Sequence, residues 1–213
     1  MSALPTEARR DVESIRLFKS DFMEFFTHIS PVTIVVTWVP VTIFLLVTAV
    51  RTAAAGFPWH IPAGVLVGIA LWSFTEYTLH RYVFHYEPKT PLEQRITFLF
   101  HGVHHEQPQD PSRLVMPLPV SIPLSFLFYG MFYGVTALLN VPQWVNPLMS
   151  GFLIGYLMYD LTHYATHHFA MRTGYWKFIK RYHMEHHFKT PDARFGVSSP
   201  LWDYVFGTRG LED

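Results

Sequence analysis

Cysteine is absent from the chain. That removes disulfides, thiolate metal sites and cysteine nucleophiles together, leaving nitrogen and oxygen as the only strong ligands. Charge is scarce: Asp, Glu, Lys and Arg make up 15% of the residues, against about 25% in an ordinary soluble domain. The 16 basic and 16 acidic residues balance with histidine neutral, so there is no basic excess to attract nucleic acid. The opening stretch MSALPTEARRDVESIRLFKSDFMEFFTHIS mixes both signs and lacks a continuous apolar core, which argues against a cleaved signal peptide. No internal repeat stands out beyond the histidine motifs.

Half of the 213 residues are hydrophobic and 17% are aromatic. With so little charge, that composition predicts an integral membrane protein, and the length suits a single domain over residues 1–213. Segments 30–50, 60–79, 114–139 and 143–162 are apolar runs of about the 20 residues that a bilayer-crossing helix needs. Pro40 should kink the first. Residues 1–29 read as an amphipathic cytoplasmic segment, with Leu17, Phe18, Phe22, Phe25 and Phe26 near helical spacing. Residues 163–213 read as a cytoplasmic cap. The predicted fold is therefore all-α: four transmembrane helices and a histidine-rich helical cap. Four spans place residues 1–29, 80–113 and 163–213 on one side, with four, four and seven Lys or Arg residues, against Arg51 alone on the other. The positive-inside rule makes that side cytoplasmic.

Eleven of the 13 histidines fall in four clusters on that same side. His80 and His85 are five residues apart. His101, His104 and His105, and again His183, His186 and His187, stand at i, i+3 and i+4; His163, His167 and His168 stand at i, i+4 and i+5. Residues three or four apart share a helix face, so each such cluster can aim its imidazoles at one point. Five residues rotate a helix by about 500°, leaving His85 about 140° from His80, so the span should unwind between them. One metal needs four or five histidines, and ten suggest two. Imidazole suits iron, zinc, copper or nickel alike. Acidic partners that orient the ring N–H groups are expected: Glu76 lies four residues before His80 and Asp160 three before His163, while Glu106, Asp110 and Glu185 are less constrained. The alternative reading of these acids is a solvated or interfacial position. His28 and His60 lie outside the pattern and read as interfacial.

The ordered segments HRYVFH, FHGVHHEQPQDPSRLVMP, YDLTHYATHH, KRYHMEHHF and FGVSSPLWDYVFGT, with RLFKSDFMEFFTHISP near the start, resemble the fatty acid hydroxylase superfamily of membrane di-metal oxygenases. The match is closest to fatty acid 2-hydroxylases and runs from about residue 15 to the end. By position, the resemblance implies metal ligands at His80, His85, His101, His104, His105, His163, His167, His183, His186 and His187, with His168 an eleventh ligand or a residue behind the ligands, as Glu76 and Asp160 would be. It implies two iron ions, with zinc able to occupy the same imidazoles in purified material, and O2-dependent hydroxylation at C2 of a fatty acyl chain, free or lipid-linked as in a sphingolipid. Tyr77, Tyr82, Tyr164 and Trp202 would line the approach or serve as interfacial anchors. No haem-binding HPGG segment and no dilysine ending are present, so the expected form is a short bacterial one in the inner membrane. It would take electrons from a separate cytochrome b5-like or ferredoxin-like donor. Two alternatives stand beside this: hydroxylation or desaturation of a sterol, carotenoid or other acyl position, and a non-catalytic metal-binding membrane protein. A metal transporter would spread its ligands across the membrane, whereas these gather at one edge.

Overall fold

Ser30 and Pro31 start the first long helix. The Ser30 hydroxyl accepts the Thr33 N–H at 3.2 Å, and proline at the first helical position needs no partner for a missing N–H. In this computed structural model, which describes residues 13–53 and 58–210, four long helices carry the fold: α2 (Pro31–Thr52), α3 (His60–Leu79), α6 (Leu118–Leu138) and α7 (Val145–His168). Shorter ones complete it: α1 (Asp21–Phe25), α4 (Pro91–Thr97), α5 (Val103–Glu106), α8 (Gly174–Phe188) and α9 (Leu201–Phe206). The described residues contain no strand, in line with the predicted helical class.

The centre of the fold is the contact between α3 and α7. Two glycines four apart on each helix line this contact: Gly64 lies against Pro147 and Gly68 against Leu148 and Gly151, while Gly151 lies against Val65 and Gly155 against the Trp72 side chain. A Cβ on Gly68 would lie 2.2 Å from the Leu148 carbonyl oxygen, and one on Gly151 would lie 2.0 Å from that of Val65. Backbone therefore touches backbone, an approach that only small residues permit. On its other sides α7 meets α2 and α6, with Trp38, Trp72, Phe152 and Tyr156 forming an aromatic core. The Trp72 and Tyr156 rings stand 5.2 Å apart at 63°.

The structure revises several boundaries. The run predicted at 114–139 begins its helix only at Leu118, because the Leu114 carbonyl and the Met116 N–H bond to His163 and Asp160 of α7. The run predicted to end at residue 162 continues unbroken to His168, so the third histidine cluster rides on α7 rather than in a separate cap. Helix α2 passes through Pro40 without interruption. Among the described residues of the expected N-terminal amphipathic segment, 13–29, only Asp21–Phe25 is helical. Residues 13–20 before it are irregular, because the Leu17 and Phe18 N–H groups donate to Glu24 Oε2 at 2.9 and 2.8 Å and the Ile15 carbonyl is taken by Arg113. Residues 1–12, 54–57 and 211–213, parts of the expected N-terminal segment, turn and cap, lie outside the described residues. Helices α2 and α6 are long and apolar enough to cross a membrane, and Phe44, Phe126, Leu127 and Leu138 project from them unburied.

Candidate metal centre

At the end of α3 the helix widens rather than unwinding. Residues His80–Phe84 form a π turn, closed by the His85 N–H on the His80 carbonyl at 3.1 Å. An i to i+5 bond sets residue i+5 over residue i, so the spacing of five, awkward for an α-helix, becomes a shared face. A second π turn, Phe98–Gly102, leads into α5 and carries His101. With α7 and α8 these segments deliver ten histidines into two groups of five. The first is His80, His85, His101, His105 and His186; the second is His104, His163, His167, His183 and His187. Within each group the ligand nitrogens all lie within 4.8 Å of one another.

The groups cut across the sequence clusters. In each HX2HH box the outer pair, four apart, joins one group while the middle histidine joins the other: His101 and His105 against His104, and His183 and His187 against His186. The expectation of three rings aimed at one point is thereby corrected. Residues i and i+4 differ by about 40° around the axis, whereas i+3 lies about 100° from i+4. Two boxes thus serve both groups in reciprocal fashion, and the rings of His105 and His187 stack 4.2 Å apart where the groups meet. His168 joins neither group; its ring lies 4.6 Å from that of Tyr164. His28 bonds to Ser112 and Arg113, and His60 lies against Trp144.

The nitrogens fit metal ions. His80 Nε2 lies 3.1 Å from His101 Nε2, and His186 Nε2 3.0 Å from His85 Nε2; in the second group His163 Nε2 lies 2.9 Å from His104 Nε2. Nitrogens bound at about 2.1 Å and at right angles around one ion stand about 3.0 Å apart. Three of these rings have their other nitrogen on a carbonyl, which can only accept: Nδ1–H of His80 donates to Phe195 O at 2.5 Å, that of His163 to Leu114 O at 3.0 Å and that of His186 to Ala193 O at 2.7 Å. The Nε2 atoms of these three rings then carry lone pairs pointed at neighbouring nitrogens, an arrangement a shared cation relieves. Burial also keeps the rings neutral, pushing His85 and His186 down to about 4 and His105 down to about 3.

Carboxylates were the expected partners of the ring N–H groups, and neither Glu76 nor Asp160 reaches one. Each instead holds the strand of chain that supplies a carbonyl. Glu76 accepts the Val197 and Ser198 N–H groups at 2.8 and 2.7 Å, close to Phe195. Asp160 accepts the Met116 N–H at 3.2 Å, close to Leu114. Asp203, fully buried on α9, does the same for Phe195 and Gly196. Sequence reasoning missed Asp203, whose one local signal is its place in the SSPLWDYVFG segment, eight residues beyond Phe195.

A cavity of about 940 Å³ opens onto both groups, with His101 from the first and His104 and His163 from the second at its polar end. Its walls are apolar: Leu17, Phe22 and Phe26 from the N-terminal segment, Val120 and Leu127 from α6, and Val83 and Leu99 near the π turns. Tyr77, Tyr82, Tyr164 and Trp202 do not line it. The N-terminal segment is instead a wall, pinned by buried Arg113, whose Nη2 donates to Glu24 Oε1 at 2.6 Å.

The sequence profile of the fatty acid hydroxylase family matches residues 65–208. The dihydroceramide fatty acyl 2-hydroxylase FAH1 of Arabidopsis thaliana is 38% identical over 196 residues, covering 92% of this chain and 80% of that protein. The fatty acid 2-hydroxylase of Homo sapiens is 35% identical over 213 residues, covering 91% of this chain and 56% of that protein. A solved structure described as full-length scs7p, with only the hydroxylase domain visible, matches with a TM-score of 0.80 at 32% identity. That match covers 88% of this chain and 69% of the other.

Proposed function

The chain belongs to the fatty acid hydroxylase family, and from that premise we propose that it hydroxylates C2 of a fatty acyl chain with O2 and two electrons. The observation that carries this reading is the meeting of ten histidines, in two groups of five, with the polar end of one large apolar cavity. In the reaction the C2–H bond is replaced by C2–O, the second oxygen atom leaves as water, and two electrons and two protons are consumed. Two bound iron ions would supply the oxygen activation that side chains cannot perform. They would be held by the ten histidines of the two groups.

The protein's own part is binding and orientation. A volume of about 940 Å³ lies near the upper end of the range for small-molecule pockets, and its apolar walls suit an acyl tail while excluding water. Its histidine end receives the carbonyl region of the substrate, so that C2, one bond away, is the carbon presented. Backbone carbonyls of Phe195, Ala193 and Leu114 fix the tautomer and tilt of three rings. The strongly apolar helices α2 and α6, both packed on α7, would form four spans of one membrane-embedded domain together with α3 and α7, and the Lys and Arg bias supports a cytoplasmic side for the histidines. Electrons would arrive there from a separate one-electron carrier protein.

Lipid mass spectrometry on a host expressing the wild type or His104→Ala, with an electron donor supplied, tests the reading. A gain of one oxygen at C2, absent in the variant, is expected. Oxygen at another position, or loss of two hydrogens, would replace the proposed reaction. No change in any lipid despite bound iron and a competent donor would refute an enzymatic role.

A further inference from the structure

The loop after α8 supplies two of the three carbonyls that hold ring N–H groups, and both serve the first histidine group: Ala193 O for His186 and Phe195 O for His80. Between them Arg194 sits at φ 62°, in the left-handed region, a conformation a non-glycine residue keeps only when its surroundings enforce it. Its own N–H is taken by Thr208 O at 2.7 Å, and its guanidinium lies 3.3 Å from Glu185. The next four backbone N–H groups in succession are all captured by two buried carboxylates. Asp203 accepts from Phe195 at 2.9 Å and Gly196 at 2.8 Å; Glu76 accepts from Val197 at 2.8 Å and Ser198 at 2.7 Å, and also from the Ser198 hydroxyl. The fit around Gly196 is so close that a Cβ there would lie 2.1 Å from Ser199 O and 2.9 Å from Asp203 Oδ2.

The second group has a thinner support of this kind. Asp160 holds Met116, and Leu114 O receives His163, but the Nδ1 atoms of His104, His167, His183 and His187 have no protein partner among the described residues. The two groups are matched in ligand count and unmatched in what stands behind the ligands.

We infer that Asp203 and Glu76 are positioning residues for the first group alone, fixing His80 and His186 through the carbonyls of the 193–198 loop. The two metal sites can therefore be weakened one at a time from outside the ligand set. This rests on the reading that both groups bind metal. Loss of such outer support costs about 10–100-fold in metal affinity, and here the loss falls on one ion of two.

The test is metal stoichiometry, independent of hydroxylase activity. Wild type, Asp203→Ala, Glu76→Gln, His80→Ala and His163→Ala proteins are stripped with chelator in detergent, reloaded with cobalt(II), and measured for bound cobalt and its visible absorption. Wild type should hold two ions, and Asp203→Ala should hold one at unchanged affinity and the other about 10–100-fold more weakly. At limiting cobalt, adding His163→Ala to Asp203→Ala should leave none, whereas adding His80→Ala should leave one. Glu76→Gln keeps the shape and one accepting oxygen, so it should fold and weaken the same ion to a smaller extent; it carries the test if Asp203→Ala does not fold. Two ions at wild-type affinity in both variants would overturn the inference, as would equal weakening of both ions or loss from the His163 site. No cobalt in the wild type would overturn the metal reading itself, and this inference with it.

Discussion

Replacing Gly151 by alanine adds one methyl group at the point where α3 and α7 are closest. Its carbon would lie 2.0 Å from Val65 O, 2.7 Å from Val65 C and 2.8 Å from Val65 Cα, all backbone atoms that cannot turn aside, whereas ordinary contact begins at 3.4 Å. The helices must therefore part by about 1.4 Å, and overpacking of this kind costs about 1–3 kcal/mol. For a chain of this size that corresponds to a fall in Tm of about 2–12 °C. Metal retention should fall as well, since α3 leads to His80 and α7 carries His163, and the boxes on α5 and α8 must reach both ends. The control is Gly130→Ala on α6, which belongs to a pair, Gly130 and Gly134, of the same four-residue spacing but with nothing within 4 Å of either added Cβ. There alanine removes glycine's helix penalty of about 1 kcal/mol and should not lower Tm. Thermal unfolding in detergent followed by circular dichroism, with metal content after a chelator wash, measures both. If the two alanine variants melt together and retain metal equally, the backbone contact does not hold the centre together and the argument fails.

Acid should destabilise the protein. His85, His105 and His186 are held neutral down to about 4, 3 and 4, whereas in the unfolded chain they take up protons near about 6.5. Between those values the unfolded state binds more protons, so stability is full above about 6.5 and falls as pH drops toward about 4. Melting of the metal-free protein across that range checks the sign, and a Tm that rises on acidification would contradict it. Glu24→Ala should cost about 1.5–3 kcal/mol, because buried Arg113 loses its nearer carboxylate while Asp110 stays 3.6 Å away, and should free residues 13–28 for limited proteolysis. Burial alone would raise the Glu24 carboxyl, but the Phe18 and Leu17 N–H groups and Arg113 bring it below the usual range. The cavity predicts one further outcome. Val120→Trp, at its wall, should shorten the preferred acyl chain in lipid profiles while leaving metal content unchanged, and an unaltered chain-length profile would remove the cavity from the substrate path.

Much of this protein is legible along the chain. Apolar runs of membrane length mark the long helices, and eleven clustered histidines in a chain without cysteine mark a nitrogen-rich metal centre. Those features are local: run length and residue spacing determine which side chains share a helix face, whatever the helix later packs against. What the spacing could not determine is where that face points. The division of each HX2HH box between two groups arises only when α5 and α8 lie between the end of α3 and the end of α7, and the glycine contact sets that distance. How Glu76 supports the ligands is hidden from the sequence for the same reason. Its partners are 121 and 122 residues away, as the carbonyl that holds His80 is 115 residues away, and no periodicity reports a hydrogen bond across such a separation. The N-terminal segment becomes a cavity wall instead of a free amphipathic helix because Arg113 and Glu24, 89 residues apart, meet in a buried pair. Sequence by itself determined the elements and the ligand chemistry; the pairing of helices decided which nitrogens converge, because convergence depends on distances between elements.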